Sequence, residues 1–119
     1  MKKFFYSFRY AFNGIAFAFS TQLNFKVHVC ATIAAVFFGY LFKISLSEWL
    51  WICCAVAGVM ICELFNTAIE VLVDLVSPDV NPKAGAIKDV AAAAVLIAAL
   101  FALTIALIIF VPKILVYAA

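Results

Sequence analysis

Five polar side chains recur at helical spacing in an otherwise apolar segment: Glu63, Asn66, Thr67, Glu70 and Asp74. At about 100° per residue they fall in one stripe, about 100° wide, on a single helix face. Three of them are acids, and like charges on one face repel unless a cation or a proton lies between them. Carboxylate and amide oxygens suit Mg²⁺, which proteins bind together with substrate phosphates. The spacing therefore predicts a cation and phosphate site on this helix.

A structural alternative explains only part of this stripe. Asn66 and Thr67 are uncharged and would hydrogen-bond between neighbouring helices, as polar side chains do in membranes. The three acids need another reason, because an ionisable group at membrane depth costs about 2.5 kcal/mol or more. A carboxylate near the membrane boundary would accept a proton from a lipid hydroxyl, and Lys88, beyond the next loop, would neutralise phosphate charge.

Composition places the stripe in a membrane. The chain has 119 residues, is 70% hydrophobic and 12% charged, and its mean hydropathy is +1.25. A water-soluble domain of this size cannot bury so much apolar surface, because its surface-to-volume ratio is too high. The net charge of +2 is too small to indicate a nucleic-acid partner. We expect one all-α integral membrane domain over residues 1–119.

The N-terminal segment, residues 1–26, mixes phenylalanines with basic side chains. This pattern predicts an amphipathic helix that lies at the membrane surface. A secretory signal peptide is the alternative, but Arg9 falls inside what would be its uncharged core.

Three membrane helices are predicted from the long apolar runs that follow. They are residues 27–42, 49–76 and 87–111. Ser47 is the expected N-cap of the second helix, and Pro112 is expected to end the third.

Charge asymmetry predicts the orientation. With three spans, the N-terminal segment and the 77–89 loop lie on the same side of the membrane. Together they carry six lysines and arginines, whereas the segments on the other side carry two. The positive-inside rule makes the first side cytoplasmic, where nucleotides are found. The four glycines are isolated, so any nucleotide is held without a glycine-rich loop. The lone His28 is expected to be an interfacial hydrogen-bonding residue rather than a ligand.

The segment from Glu63 to Asp74 resembles the signature E-x-x-N-[ST]-A-I-E-x-x-V-D of the prokaryotic diacylglycerol kinase family, which includes undecaprenol kinases. A second family element matches residues 88–95. The stretches 24–28 and 108–113 look more like the undecaprenol-kinase branch. The likeness extends over essentially the whole chain.

The resemblance implies a homotrimer of three-span subunits, each with an N-terminal surface helix, and active sites composed between subunits. It also implies transfer of the ATP γ-phosphate to a lipid alcohol, either undecaprenol or diacylglycerol, in the bacterial inner (cytoplasmic) membrane. The cofactor it implies is Mg²⁺.

By motif position, the resemblance implies roles for individual residues. Glu63 would be the catalytic base, Glu70 would bind the Mg²⁺ that carries ATP, and Asn66 would support this site. Further positions would contact nucleotide or substrate: Lys3, Tyr10, Gln22, Asp79, Val80, Asn81, Lys88, Asp89 and Ala92.

One departure from the family pattern concerns the second metal. The family usually has a glutamate where this chain has Gln22, and a glutamine carbonyl brings no charge to a metal site. This departure keeps open a catalytically weakened relative that acts as a membrane scaffold. A small ion channel or transporter that uses Glu63 and Glu70 as an ion path is a further alternative.

Overall fold

The computed structural model describes residues 1–119 and contains four α-helices and no strand. They are α1 (Lys2–Thr21), α2 (Leu23–Leu41), α3 (Leu46–Val76) and α4 (Pro82–Ala118). The predicted all-α class is confirmed, and α2, α3 and α4 are each long and apolar enough to cross a membrane. At 1.5 Å per residue α3 and α4 measure about 46 and 55 Å, so their ends extend beyond a hydrocarbon core of about 30 Å.

The protomer is a thin array of helices that buries little of its own surface. It measures 57 × 43 × 21 Å, and 14 of its 119 residues are buried. The most extensive packing is between α3 and α4. Because most large apolar side chains face outward, they require lipid or another protein chain as their surroundings.

The break between the first two helices lies at Gln22, four residues before the predicted end of the surface helix. Gln22 has extended backbone angles, φ −112° and ψ 113°, which stop α1 at Thr21. Neither proline nor glycine marks this position, so the sequence pattern does not reveal it. With α2 beginning at Leu23 rather than at residue 27, the first membrane helix has 19 residues and reaches about 28 Å.

Ser45 is the N-cap of α3, and the expectation that Ser47 has this role is wrong. The Ser45 hydroxyl accepts a hydrogen bond from the Glu48 amide at 3.2 Å. The Ser45 amide donates to Glu48 Oε1 at 2.9 Å, which completes a capping box. The helix thus begins at Leu46, before the predicted residue 49, because this Ser-x-x-Glu pair outweighs the polar character of the turn.

The last helix begins earlier than the predicted residue 87. Pro82 occupies its first turn, where a missing amide hydrogen costs nothing. The Asn81 side chain caps this end by accepting a hydrogen bond from the Lys83 amide at 2.9 Å. Local capping chemistry therefore converts half of the expected loop into helix.

The last helix also continues through Pro112, which was expected to end it. The helix extends to Ala118. Tertiary contacts hold both sides of the proline: Phe110 packs in a buried cluster with Ile44 and Ile52, and Lys113 pairs with Glu48 on α3 at 2.9 Å. These contacts offset the hydrogen bond that a proline inside a helix removes.

Candidate functional site

The predicted polar stripe lies along α3 and changes from buried to exposed. Glu63, Asn66 and Thr67 are 1%, 7% and 4% exposed. Glu70 is half-buried, and the Asp74 side chain is 66% exposed. The two ends are about 16 Å apart at 1.5 Å per residue. The stripe therefore joins a site enclosed by protein to a surface next to the α3–α4 loop.

At the buried end, Glu63 faces His28 of α2. His28 Nε2 lies 3.3 Å from Glu63 Oε1, within ion-pair distance but without the alignment of a hydrogen bond, since Oε1 has no hydrogen-bond partner. Glu63 is thus a buried acid with an unused acceptor oxygen, which is unusual in a folded protein. Sequence reasoning placed His28 at the interface and missed this contact, for which a lone histidine far away in the chain supplies no signal.

In the middle of the stripe, both uncharged residues bond within their own helix. Asn66 Nδ2 donates to Glu70 at 3.4 Å, and the Thr67 hydroxyl donates to the Glu63 carbonyl at 2.9 Å. Neither side chain bonds to another helix of the protomer. Asn66 Oδ1 is buried and has no partner. A buried acceptor without a partner costs about 1–3 kcal/mol. Unpaired buried groups of this kind are found at functional sites.

At the exposed end, Asp74 pairs with Lys88 of α4. The Lys88 ammonium lies 2.5 Å from Asp74 Oδ1, and this contact brings the predicted phosphate-binding lysine to the stripe. The sequence assigns no role to Asp74, and the two residues are fourteen positions apart across the α3–α4 loop. The structure therefore gives Asp74 a partner, the ammonium group of Lys88.

Most of the remaining predicted residues lie outside this network. On α1, Lys3 and Tyr10 are exposed, and the Tyr10 ring stacks on Tyr6 with 6.4 Å between centroids. Gln22 is half-buried at the α1–α2 junction, and its side chain makes no hydrogen bond. No hydrogen bond or ion pair connects these three residues to the stripe within the protomer.

The loop residues and the start of α4 are largely solvent-accessible. Asp79, Val80, Asp89 and Ala92 are exposed. Asn81 uses its side-chain oxygen to cap α4. These positions lie at the same end of the molecule as the Asp74–Lys88 pair, so they are open to a ligand in the surrounding solution.

The oxygen atoms of the stripe fit a Mg²⁺ ion that is also bound by phosphates and water. No three His, Cys, Asp or Glu side chains come together to form a metal site within the protomer. Mg²⁺ needs fewer protein ligands, because it binds through one or two carboxylates and completes its shell with phosphates and water. Glu70 supplies a half-buried carboxylate, and the unpartnered Asn66 Oδ1 supplies a second oxygen.

One apolar groove borders the stripe, and a second apolar cavity lies near it. The groove, of about 600 Å³, lies between α1 and α3 beside Thr67. The cavity, of about 230 Å³, begins at His28 and runs between α2, α3 and α4. Apolar space therefore lies beside Thr67 and beside His28, whereas the other end of the stripe faces the polar loop.

The family model described as "Prokaryotic diacylglycerol kinase" matches residues 9–110, which include the whole stripe and Lys88. An undecaprenol kinase of Bacillus subtilis is 41% identical over 113 residues, covering 95% of this chain and 92% of that protein. A diacylglycerol kinase of Synechocystis sp. is 39% identical over 100 residues, covering 83% of this chain and 57% of that protein.

Proposed function

This chain belongs to the prokaryotic diacylglycerol kinase family, and we propose that it is a membrane lipid kinase that transfers the ATP γ-phosphate to a lipid alcohol. The single observation that supports the proposal is that the two ends of the stripe have different surroundings. Its buried end offers an acid with an unpaired oxygen, one helical turn from Thr67 at the edge of an apolar groove. Its exposed end offers a lysine held by an acid. A lipid hydroxyl is attached to hydrocarbon and suits the buried end, whereas a nucleotide phosphate is charged and suits the exposed end.

Glu63 is the proposed catalytic base. A lipid hydroxyl that arrives from the bilayer reaches the stripe at its buried end, where it meets Glu63 Oε2, the carboxylate oxygen that does not face His28. The carboxylate accepts the hydroxyl proton while the alcohol oxygen attacks the γ-phosphorus and the bond to ADP breaks. Phosphoryl transfer depends mainly on position and charge neutralisation, so one oriented base is sufficient protein chemistry at this end.

The nucleotide is proposed to lie at the exposed end. Glu70 would hold Mg²⁺, with Asn66 in support. Gln22, at the α1–α2 junction, would add a neutral oxygen to a site that is completed by packing against a partner subunit. Bound Mg²⁺ would neutralise phosphate charge. Lys88 would bind the phosphates as a point charge, and Asp74 would keep its ammonium at the stripe.

The remaining family positions are proposed as outer contacts. They are exposed, which a bound nucleotide or lipid headgroup requires. Those proposed for the nucleotide are Tyr10, Asp79, Val80, Asn81 and Asp89, and those proposed near the substrate are Lys3 and Ala92.

We further propose a homotrimer whose active sites are shared between subunits. The low burial of the protomer supports it, since only 14 of 119 residues are buried. The basic N-terminal side and the 77–89 loop are proposed to face the cytoplasm of a bacterial inner membrane, where ATP is available.

The decisive assay supplies purified protein with labelled ATP, Mg²⁺ and either undecaprenol or diacylglycerol in mixed micelles. We propose undecaprenol as the preferred acceptor, since the Bacillus subtilis relative matches over more of its length than the other relative does. We expect label in the lipid fraction only when ATP and Mg²⁺ are both present. No labelled lipid with either alcohol, or ion flux through liposomes in its place, would refute the kinase.

Shared sites have their own test. Glu63→Gln and Gln22→Ala protomers, each less active than wild type, are unfolded, mixed and refolded together in detergent. If Gln22 of one subunit serves the stripe of another, mixed trimers have more activity than the sum of the two separate preparations. A mixture that does not exceed this sum would place both residues in one subunit's site.

A further inference from the structure

We propose that His28 is a positioning residue for Glu63, holding one carboxylate oxygen so that the other faces the lipid hydroxyl. The inference rests on the proposed function, because it gives His28 a role only if Glu63 accepts the hydroxyl proton. It concerns a residue that lies far from the polar stripe in the chain and reaches it only through helix packing.

The contact between the two side chains supports this role. Nε2 of His28 lies 3.3 Å from Glu63 Oε1, and no other side chain within the protomer offers that oxygen a hydrogen atom. The pair is long and imperfectly aligned, as catalytic hydrogen bonds often are before substrate binds. A small rotation of the imidazole makes it a hydrogen bond, with Nε2–H as the donor.

The two partners differ in burial. Glu63 is 1% exposed and His28 is 21% exposed, so the carboxylate is enclosed by protein whereas the imidazole reaches the surface of the protomer. A lone carboxylate on a flexible side chain has many orientations. One fixed donor removes this freedom, and misplacement of a reacting group by about 1 Å can cost on the order of a hundredfold in rate.

Nothing else within the protomer competes for the imidazole. From α3 the titratable group at His28 is Glu63, and across the cavity α4 presents alanine and leucine side chains. On α2 itself, the Thr32 hydroxyl donates to the backbone carbonyl of His28 and leaves the ring free. The charge of Lys26 lies over the Phe19 ring. The histidine side chain therefore has one polar partner within the protomer, the proposed base.

The experiment compares His28→Leu, which removes the donor, with His28→Gln, whose amide reaches similarly far and still donates. Thr32→Val is the matched control on the same helix and cavity. We expect His28→Leu to lower kcat on the order of tenfold to a hundredfold with the KM for ATP unchanged. His28→Gln should recover most of that rate, and Thr32→Val should match wild type.

One further measurement separates positioning from a merely structural role. In a Glu63→Gln background, His28→Leu should cause no additional loss of kcat, because the residue acts through the carboxylate.

Several results would overturn the inference. A wild-type kcat in His28→Leu would overturn it and leave the role of Glu63 unaffected. Equal losses of kcat in folded His28→Leu and His28→Gln proteins would also overturn it. If His28→Leu does not fold, His28→Ala is measured in its place, and a loss of kcat as large in the Glu63→Gln background as in wild type decides against the inference. If wild-type protein phosphorylates no lipid alcohol, the proposed function itself fails, and this inference fails with it.

Discussion

Replacement of Glu63 by glutamine should separate activity from stability. The amide has the shape of the carboxylate but cannot accept the hydroxyl proton. General-base catalysis contributes about a hundredfold to ten-thousandfold, which corresponds to about 3–5 kcal/mol of barrier at 1.36 kcal/mol per tenfold. Because ATP is proposed to bind at the other end of the stripe, kcat should fall by this factor and the KM for ATP should change little.

The same substitution should leave folding intact or improve it. Glu63 Oε1 is buried and has no hydrogen-bond partner. An unpaired acceptor of this kind costs about 1–3 kcal/mol, and more if it is charged. Glutamine removes the buried charge, so the unfolding temperature in detergent should stay equal or rise. A glutamate retained only for structure would have the opposite effect.

The assay measures labelled phosphate transfer to lipid at saturating ATP, together with thermal unfolding of the same preparations. Glu48→Gln is the matched control, because it is the same chemical change at the other end of α3. Glu48 pairs with Lys113 and closes the capping box, so this variant should keep its activity and lose stability. A Glu63→Gln protein that retains more than about a tenth of the wild-type kcat would refute the role of Glu63 as the base.

Two further predictions concern the exposed end of the stripe and the packing of the helices. Lys88→Met should raise the KM for ATP by about tenfold or more, whereas Asp74→Asn should raise it less than about fivefold, since a solvent-exposed pair is weak; equal effects would mean that Asp74 itself contacts the ligand. Gly39→Ala should lower the free energy of unfolding by about 1–3 kcal/mol, because a Cβ there overlaps the Trp49 ring, while Gly58→Ala, with no atom within 4 Å of the added carbon, should be neutral or stabilising in thermal unfolding.

The sequence predicted the membrane helices correctly but placed their ends wrongly. Composition and long apolar runs predicted an all-α membrane protein with three spans because lipid imposes these features directly on residue type. The ends depend on single local contacts. Gln22 stops α1 through its backbone angles, and Ser45 is selected over Ser47 by its pairing with Glu48. Pro112 remains inside α4, where contacts with other segments hold both of its sides.

The polar stripe on α3 was determined by the sequence alone. Its members repeat at the period of one helix, and a single helix fixes their common face whatever surrounds it. Which residues meet the stripe was decided only by tertiary structure. His28 reaches Glu63 from α2, and Lys88 reaches Asp74 from α4. No periodicity links residues on different helices, because the way those helices pack sets their contacts.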